Sequence, residues 1–214
     1  MAALELNLTK PGDVAQKLTL NLDKGERFKV RLSWKGDADL DLHALVAVNT
    51  GAGAQVSSMA DICSTYNVKR TIRGQVVGTL EKAADGTFSV HGGAVVHSPD
   101  ALDGGDDNDE SDDEWVSIQP DRFTPPANGA IEIPLVAMIH PQSSGRKFRD
   151  VKDARVIIEN STGQVLLNAS LSNEFGEFVG VQMGSIMIQA DGSEFAAIGV
   201  GFNSDFNQVL AHFS

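Results

Sequence analysis

Apolar residues recur at every second position along much of this chain, and that period fits strands and little else. Leu18, Leu20 and Leu22 alternate with Thr19, Asn21 and Asp23, and Phe28, Val30, Leu32 and Trp34 alternate with Lys29, Arg31 and Ser33. Ile131, Ile133, Leu135 and Ala137 keep the same rhythm toward Ile139. Val156–Glu159 and Val165–Leu171 read as two arms of a hairpin around Asn160-Ser-Thr-Gly163, where glycine supplies a positive φ. Asp191-Gly192 predicts another hairpin turn, between Met187-Ile188 and the run Phe195–Val200, and Asp85-Gly86 a third. Pro134 inside a strand pattern requires an edge position or a bulge. One helix is expected near the C-terminus, with Ser204 as N-cap, Asp205 in the first turn, and Phe206, Val209, Leu210 and Phe213 on one face. Many short strands and one short helix predict an all-β fold, a β-sandwich of two mainly antiparallel sheets forming a single domain over residues 1–214. Residues 68–93 carry Lys69, Arg70 and Arg73 among several glycines and read as a two-strand excursion from the sandwich.

Charge is distributed far less evenly than hydrophobicity. The formal net charge is -12, from 29 acidic against 17 basic residues. Nine of the acidic residues fall between Asp100 and Glu114, a stretch without Lys or Arg, and three more are Asp37, Asp39 and Asp41. Outside those two segments the charges balance. If Asp37, Asp39 and Asp41 lie on one strand, they share a face while Ala38, Leu40 and Leu42 pack the other. Same-face neighbours would then sit roughly 7 Å apart and repel by about 0.6 kcal/mol even in water, more when buried. A divalent cation relieves that repulsion, and Ca²⁺ suits it because it accepts many oxygens in flexible geometry. The competing reading is a solvated polar strand face; Arg31 and Lys35 are the nearest basic residues and fall outside the run. For residues 98–114 the competing reading is a solvated acidic loop. Neither segment follows the EF-hand spacing, since the sixth residue from Asp37 is Leu42 and the twelfth is Val48.

Several function classes find no support. His43, His91, His97, His140, His212 and the single Cys63 show no zinc spacing. No nucleophile elbow, phosphate loop or dinucleotide fingerprint occurs, so a catalytic role is not expected. A sequence pI near 4.7 argues against direct nucleic-acid binding, and no apolar run approaches the length that spans a bilayer. One cysteine and a start without a basic, apolar leader lead to the expectation of a cytoplasmic protein.

Certain segments resemble a known family. Gly36-Asp-Ala-Asp-Leu-Asp-Leu42 is similar to the Asp-Phe-Asp-Leu-Asp segment of the TerD family of tellurium-resistance and general stress proteins. Ala60-Asp-Ile-Cys-Ser-Thr-Tyr-Asn67, then Val95-Val-His-Ser-Pro-Asp100, then the acidic sequence ending Asp112-Asp-Glu114, resemble further family motifs in the same order. Phe148 to Leu171 and Gly199-Val-Gly-Phe202 resemble its later strands and its Gly-x-Gly-Phe ending. The resemblance implies a β-sandwich that binds Ca²⁺ through acidic loops. By position it implies Asp37, Asp39, Asp41, Asp100, Asp112, Asp113 and Glu114 as ligands, with Asp61 and Asn67 in support. The implied function is a non-enzymatic, Ca²⁺-binding interaction module of a tellurite-resistance or stress system, working through protein partners or self-association. The alternative is a structural protein of a multi-subunit particle, such as a phage virion component, built on the same fold.

Overall fold

The computed structural model describes residues 14, 16–21, 23–105 and 114–213. In chain order its strands are β1 (Gln16–Leu20), β2 (Phe28–Lys35), β3 (Leu40–Leu45), β4 (Ala47–Asn49), β5 (Ala54–Gln55), β6 (Ile62–Cys63), β7 (Arg70–Ile72) and β8 (Gln75–Val77). They continue with β9 (Phe88–Val90), β10 (Val95–His97), β11 (Glu114–Ile118), β12 (Ala130–Ile139), β13 (Lys152–Glu159), β14 (Val165–Ser170), β15 (Gly180–Gln189) and β16 (Gly192–Phe202). One sheet runs β1-β16-β15-β12-β3-β6, with β4 also on β12 and β5 on β4; the other runs β14-β13-β2-β11-β10-β9. All the pairings within them are antiparallel, so the expected sandwich is what forms.

The period-two reading holds best in β2, where Phe28, Val30, Leu32 and Trp34 point into the core and the residues between them are half-buried. Burial of four such side chains contributes roughly 1.5–3 kcal/mol each. In contrast, β3 is buried on both faces. Leu40, Leu42 and Ala44 join the main core between the sheets. Leu45 joins a second apolar layer with Ile62, Val136, Met138, Phe206, Val209 and Phe213. That layer explains the C-terminal helix (Phe206–Leu210), which lays Phe206 and Val209 on the outer face of the larger sheet. Its N-cap is Asp205 rather than Ser204: the Asp205 carboxylate accepts the Gln208 N–H at 2.9 Å, and the Gln208 side chain accepts the Asp205 N–H in return.

The turns follow their chemistry with one shift of register. Asn160 accepts the Thr162 and Gln164 N–H groups, and Gly163 adopts φ 76° between β13 and β14. The β15–β16 hairpin pairs Gln189 with Gly192, so its two turn residues are Ala190 and Asp191 instead of Asp191-Gly192. Pro134 lies in a central strand beside a bulge at Leu135/Val136. On its other side β12 changes partner, from β4 up to Glu132 to β3 from Leu135, so Pro134 forfeits no ladder bond there.

The stretch 68–93 is only partly an excursion. β7 and β8 form a small separate sheet with exposed or half-buried side chains. β9, however, is the edge strand of the smaller main sheet and buries Phe88 and Val90. Asn67 ties the segment after β8 to the turn that leads into β6: it is fully buried, its Nδ2 donates to the Met59 and Ile62 carbonyls, and its Oδ1 accepts the Thr79 N–H and hydroxyl.

Candidate metal centre

The site lies where β3 begins, β11 begins and β12 ends. The chain leaves β2 through a turn at Gly36, held by Trp34 Nε1 donating to the Ala38 carbonyl at 2.7 Å. The segment after Asp100 is pinned to the same turn, with Gly104 N–H donating to Gly36 O at 2.9 Å. A Cβ on Gly104 would lie 2.4 Å from Trp34 Cδ1 and 2.6 Å from its carbonyl oxygen, which is why glycine occupies that position. These contacts bring the two acidic segments together although they are far apart in sequence.

The three aspartates of the first segment do not share one face of a strand. Strand β3 starts only at Leu40. Asp37 sits in the preceding bend, exposed, in a bidentate pair with the Arg146 guanidinium at 2.7 and 3.0 Å, which holds its pKa below the usual carboxylate range. It belongs to neither group of metal-liganding geometry found among the described residues. Asp39 and Asp41, by contrast, are 6% and 1% exposed. Asp39 Oδ2 lies 3.1 Å from His140 Nδ1, and Asp41 Oδ1 accepts the Thr65 hydroxyl at 2.6 Å.

Glu114 completes the interior. It stands on the inward face of β11 in line with Val116 and Ile118, and it is fully buried. β6 pairs only with Ala44 and Leu45, so the Leu42 peptide groups are left for side chains. Glu114 Oε2 accepts the Leu42 N–H at 2.7 Å, and the Leu42 carbonyl faces His97 Nε2 at 2.7 Å. The His97 ring is itself stacked on Phe88.

Asp39 Oδ1, Asp41 Oδ2 and Glu114 Oε1 are buried carboxylate oxygens that no hydrogen bond of good geometry reaches, although the Tyr66 hydroxyl approaches Asp41 and the Ala101 N–H approaches Glu114. Each such group costs about 1–3 kcal/mol or more when left unpaired, and a charged one more still. Burial, then the Asp39 and Asp100 carboxylates, push the Asp41 pKa up to about 6 against the favourable Thr65 bond. Burial, with Asp41 next, raises Glu114 well above its ordinary value. Burial raises Asp39 as well, and Asp100 adds to it while His140 opposes it. All three directions describe ionised groups short of positive charge.

Two sets of side chains place ligand atoms within 4.8 Å of one another: Asp39, Asp41 and His140, and Asp41, Asp100 and Glu114. A cavity of about 330 Å³ opens onto the first set and onto exposed Asp100, with Lys69, Arg70 and Lys82 on its wall. A larger cavity of about 740 Å³ lies alongside it, sharing Tyr66, Arg70 and His140. The donors fit a divalent cation: unpaired carboxylate oxygens, preformed and buried, are the chemistry of a hard-cation site.

Two of the expected ligands do other work. Asp61 caps its own short turn, accepting the Ser58 N–H at 2.9 Å, and faces His91 Nε2 at 2.9 Å. Asn67 is the internal tie described above, so neither belongs to the acidic cluster. Asp112 and Asp113 lie outside the described residues. His140, set aside in the sequence for want of zinc spacing, is the addition.

A model of the TerD domain matches residues 5–213. The chain belongs to the TerD domain family. Among solved structures, a homologue of the telluride resistance protein TerD from Streptomyces coelicolor A3(2) aligns at TM-score 0.62 and 17% identity, covering 86% of this chain and 95% of that one. A protein of unknown function aligns at TM-score 0.61 and 15% identity, covering 87% and 96%. At these identities the likeness shows the fold. No curated protein matches. Among the described residues no helix is long and apolar enough to cross a membrane.

Proposed function

We propose that this TerD-family protein is a Ca²⁺-binding interaction module without catalytic activity, serving a tellurite-resistance or stress response in the cytoplasm. The observation that supports the reading is the set of orphaned, buried carboxylate oxygens on Asp41 and Glu114 beside Asp100. Three carboxylates can supply up to six oxygens, water completes the shell, and all are hard donors of the kind Ca²⁺ takes. Asp39 adds negative charge next to them. Ca²⁺ neutralises a cluster that otherwise destabilises the native state, so it stiffens the junction of β3, β11 and the Asp100 segment. That stiffening is the switch through which a protein partner or a second copy of the chain senses the ion.

The test is a thermal melt across Ca²⁺ concentrations. A ligand bound only by the native state adds about 2.7 kcal/mol at a hundredfold excess over its Kd. The transition should rise with Ca²⁺ and fall back with chelator; a midpoint indifferent to both would reduce the carboxylates to a strained but metal-free cluster.

A further inference from the structure

We infer that Asp39, Asp41 and His140 form a second cation site, one that prefers a late first-row divalent ion such as Zn²⁺ over Ca²⁺. The inference rests on the same acidic junction as the Ca²⁺ reading, but on a different ligand set. His140 follows directly on β12, whose last residue Ile139 pairs with Leu40, and the His140 N–H donates to the Asp39 carbonyl at 2.8 Å. The register of the sheet therefore fixes His140 beside Asp39. Its ring is oriented by stacking on Tyr66 at a 5.3 Å centroid distance and 16°, and Tyr66 stacks in turn on Phe206.

Two neighbours compete for Nδ1 of the ring. His140 Nδ1 accepts the Gln142 N–H at 3.2 Å and also lies 3.1 Å from Asp39 Oδ2. A protonated Nδ1 pairs with the Asp39 carboxylate and gives up the longer Gln142 contact, whereas an unprotonated Nδ1 keeps Gln142 and meets Asp39 Oδ2 only through a shared proton. A metal ion bound by Nδ1 and Oδ2 would take the place of that proton and use the lone pair that otherwise accepts from Gln142. Asp39 Oδ1 and Asp41 Oδ2, both buried and unpartnered, stand ready as further donors. All three groups present ligand atoms within 4.8 Å of one another. A tetrahedral zinc shell needs separations of about 3.3 Å, within reach of small side-chain rotations. Imidazole favours Zn²⁺ and its neighbours, whereas Ca²⁺ takes oxygen. One nitrogen therefore separates the preferences of two sites that share Asp41.

Calorimetric titration of the whole chain with Zn²⁺, and separately with Ca²⁺, tests this on the parent, His140→Ala and Glu114→Gln. Co²⁺ serves as an optical probe of nitrogen ligation. The expected result is a Zn²⁺ site that loses at least about tenfold in affinity in His140→Ala, since even indirect partners of metal ligands are worth that much. The Co²⁺ absorption should fade in the same variant, and Ca²⁺ affinity should stay as in the parent. Circular dichroism checks the variant's fold, and Asp39→Asn, which leaves the imidazole stack intact, should lose Zn²⁺ affinity as well. Zn²⁺ affinity unchanged in both His140→Ala and Asp39→Asn overturns the inference. Ca²⁺ binding without any Zn²⁺ site overturns it while leaving the Ca²⁺ reading in place. A His140-dependent Zn²⁺ site in a chain that ignores Ca²⁺ upholds the second site and defeats the first reading.

Discussion

Replacing Asp41 by Asn should stabilise the metal-free protein at neutral pH and weaken its response to Ca²⁺. The Asp41 pKa is raised from 3.8 to about 6 in the fold, chiefly by burial. A raised carboxylate acts against folding. Below the unfolded value both states hold the proton and nothing changes. Between 3.8 and 6 the unfolded chain has released its proton while the native state keeps it, so stability falls as pH rises through that window and then levels off. The difference corresponds to about 3 kcal/mol above pH 6. Asn still accepts the Thr65 hydroxyl but without charge, which returns about 1 kcal/mol of loss. The net expectation in chelator is a gain of about 2 kcal/mol at pH 7.5, and a change near zero or slightly negative at pH 4.5. Urea denaturation of parent and variant at the two pH values reads this directly, and added Ca²⁺ should stabilise the parent more than the variant. Equal destabilisation at both pH values would contradict this expectation and mean that Asp41 contributes structural hydrogen bonds and no electrostatic strain.

Asp37→Asn should leave Ca²⁺ affinity unchanged and shift stability by no more than about 0.5 kcal/mol, since exposed ion pairs contribute little; titration and denaturation of the variant check both. Asn67→Ala should cost about 3 kcal/mol in a urea melt through its four lost buried bonds, with no specific loss of metal affinity once folded. Ca²⁺ uptake near pH 6 should release protons and strengthen as pH rises toward 7.5, because Asp41 and Glu114, both raised by burial, must be ionised to bind; calorimetry in buffers of different ionisation enthalpy counts the protons. Replacing Arg70–Val77 by a short Gly/Ser turn should leave the fold intact by circular dichroism, whereas removing 67–94 should abolish it by taking away β9 with Phe88 and Val90.

The sandwich was legible because its strands carry their own period. β2 and β13 alternate cleanly, and the Asn160–Gly163 turn announces itself through residue chemistry. The period of β12 was legible, but not that Val136 and Met138 on its other row, with Leu45 of β3, are covered by Phe206, Val209 and Phe213, so that this part of the sheet is buried on both faces. The acidic segments pointed to the right place, but their internal arrangement was hidden. Asp37 is neutralised by Arg146, 109 positions away, and no local signal foretells that pairing. His140 reaches the site only through the register of β12 on β3. Glu114 did leave a trace: it stands two residues before Val116 and four before Ile118, the spacing of one inward-facing row. A carboxylate in that row is a buried charge, and a buried charge seeks a partner.

The proposed Ca²⁺ site stands or falls with the oxygens of Asp41 and Glu114. Isothermal titration of the purified chain with Ca²⁺, with Mg²⁺ as control, against the Asp41→Asn/Glu114→Gln double variant is the most direct measurement. The parent should bind Ca²⁺ saturably and Mg²⁺, which demands a tighter octahedral shell, more weakly, and a double variant that remains folded should lose the Ca²⁺ isotherm. A folded double variant that binds Ca²⁺ as tightly as the parent, or a parent that binds none, would contradict the proposed site.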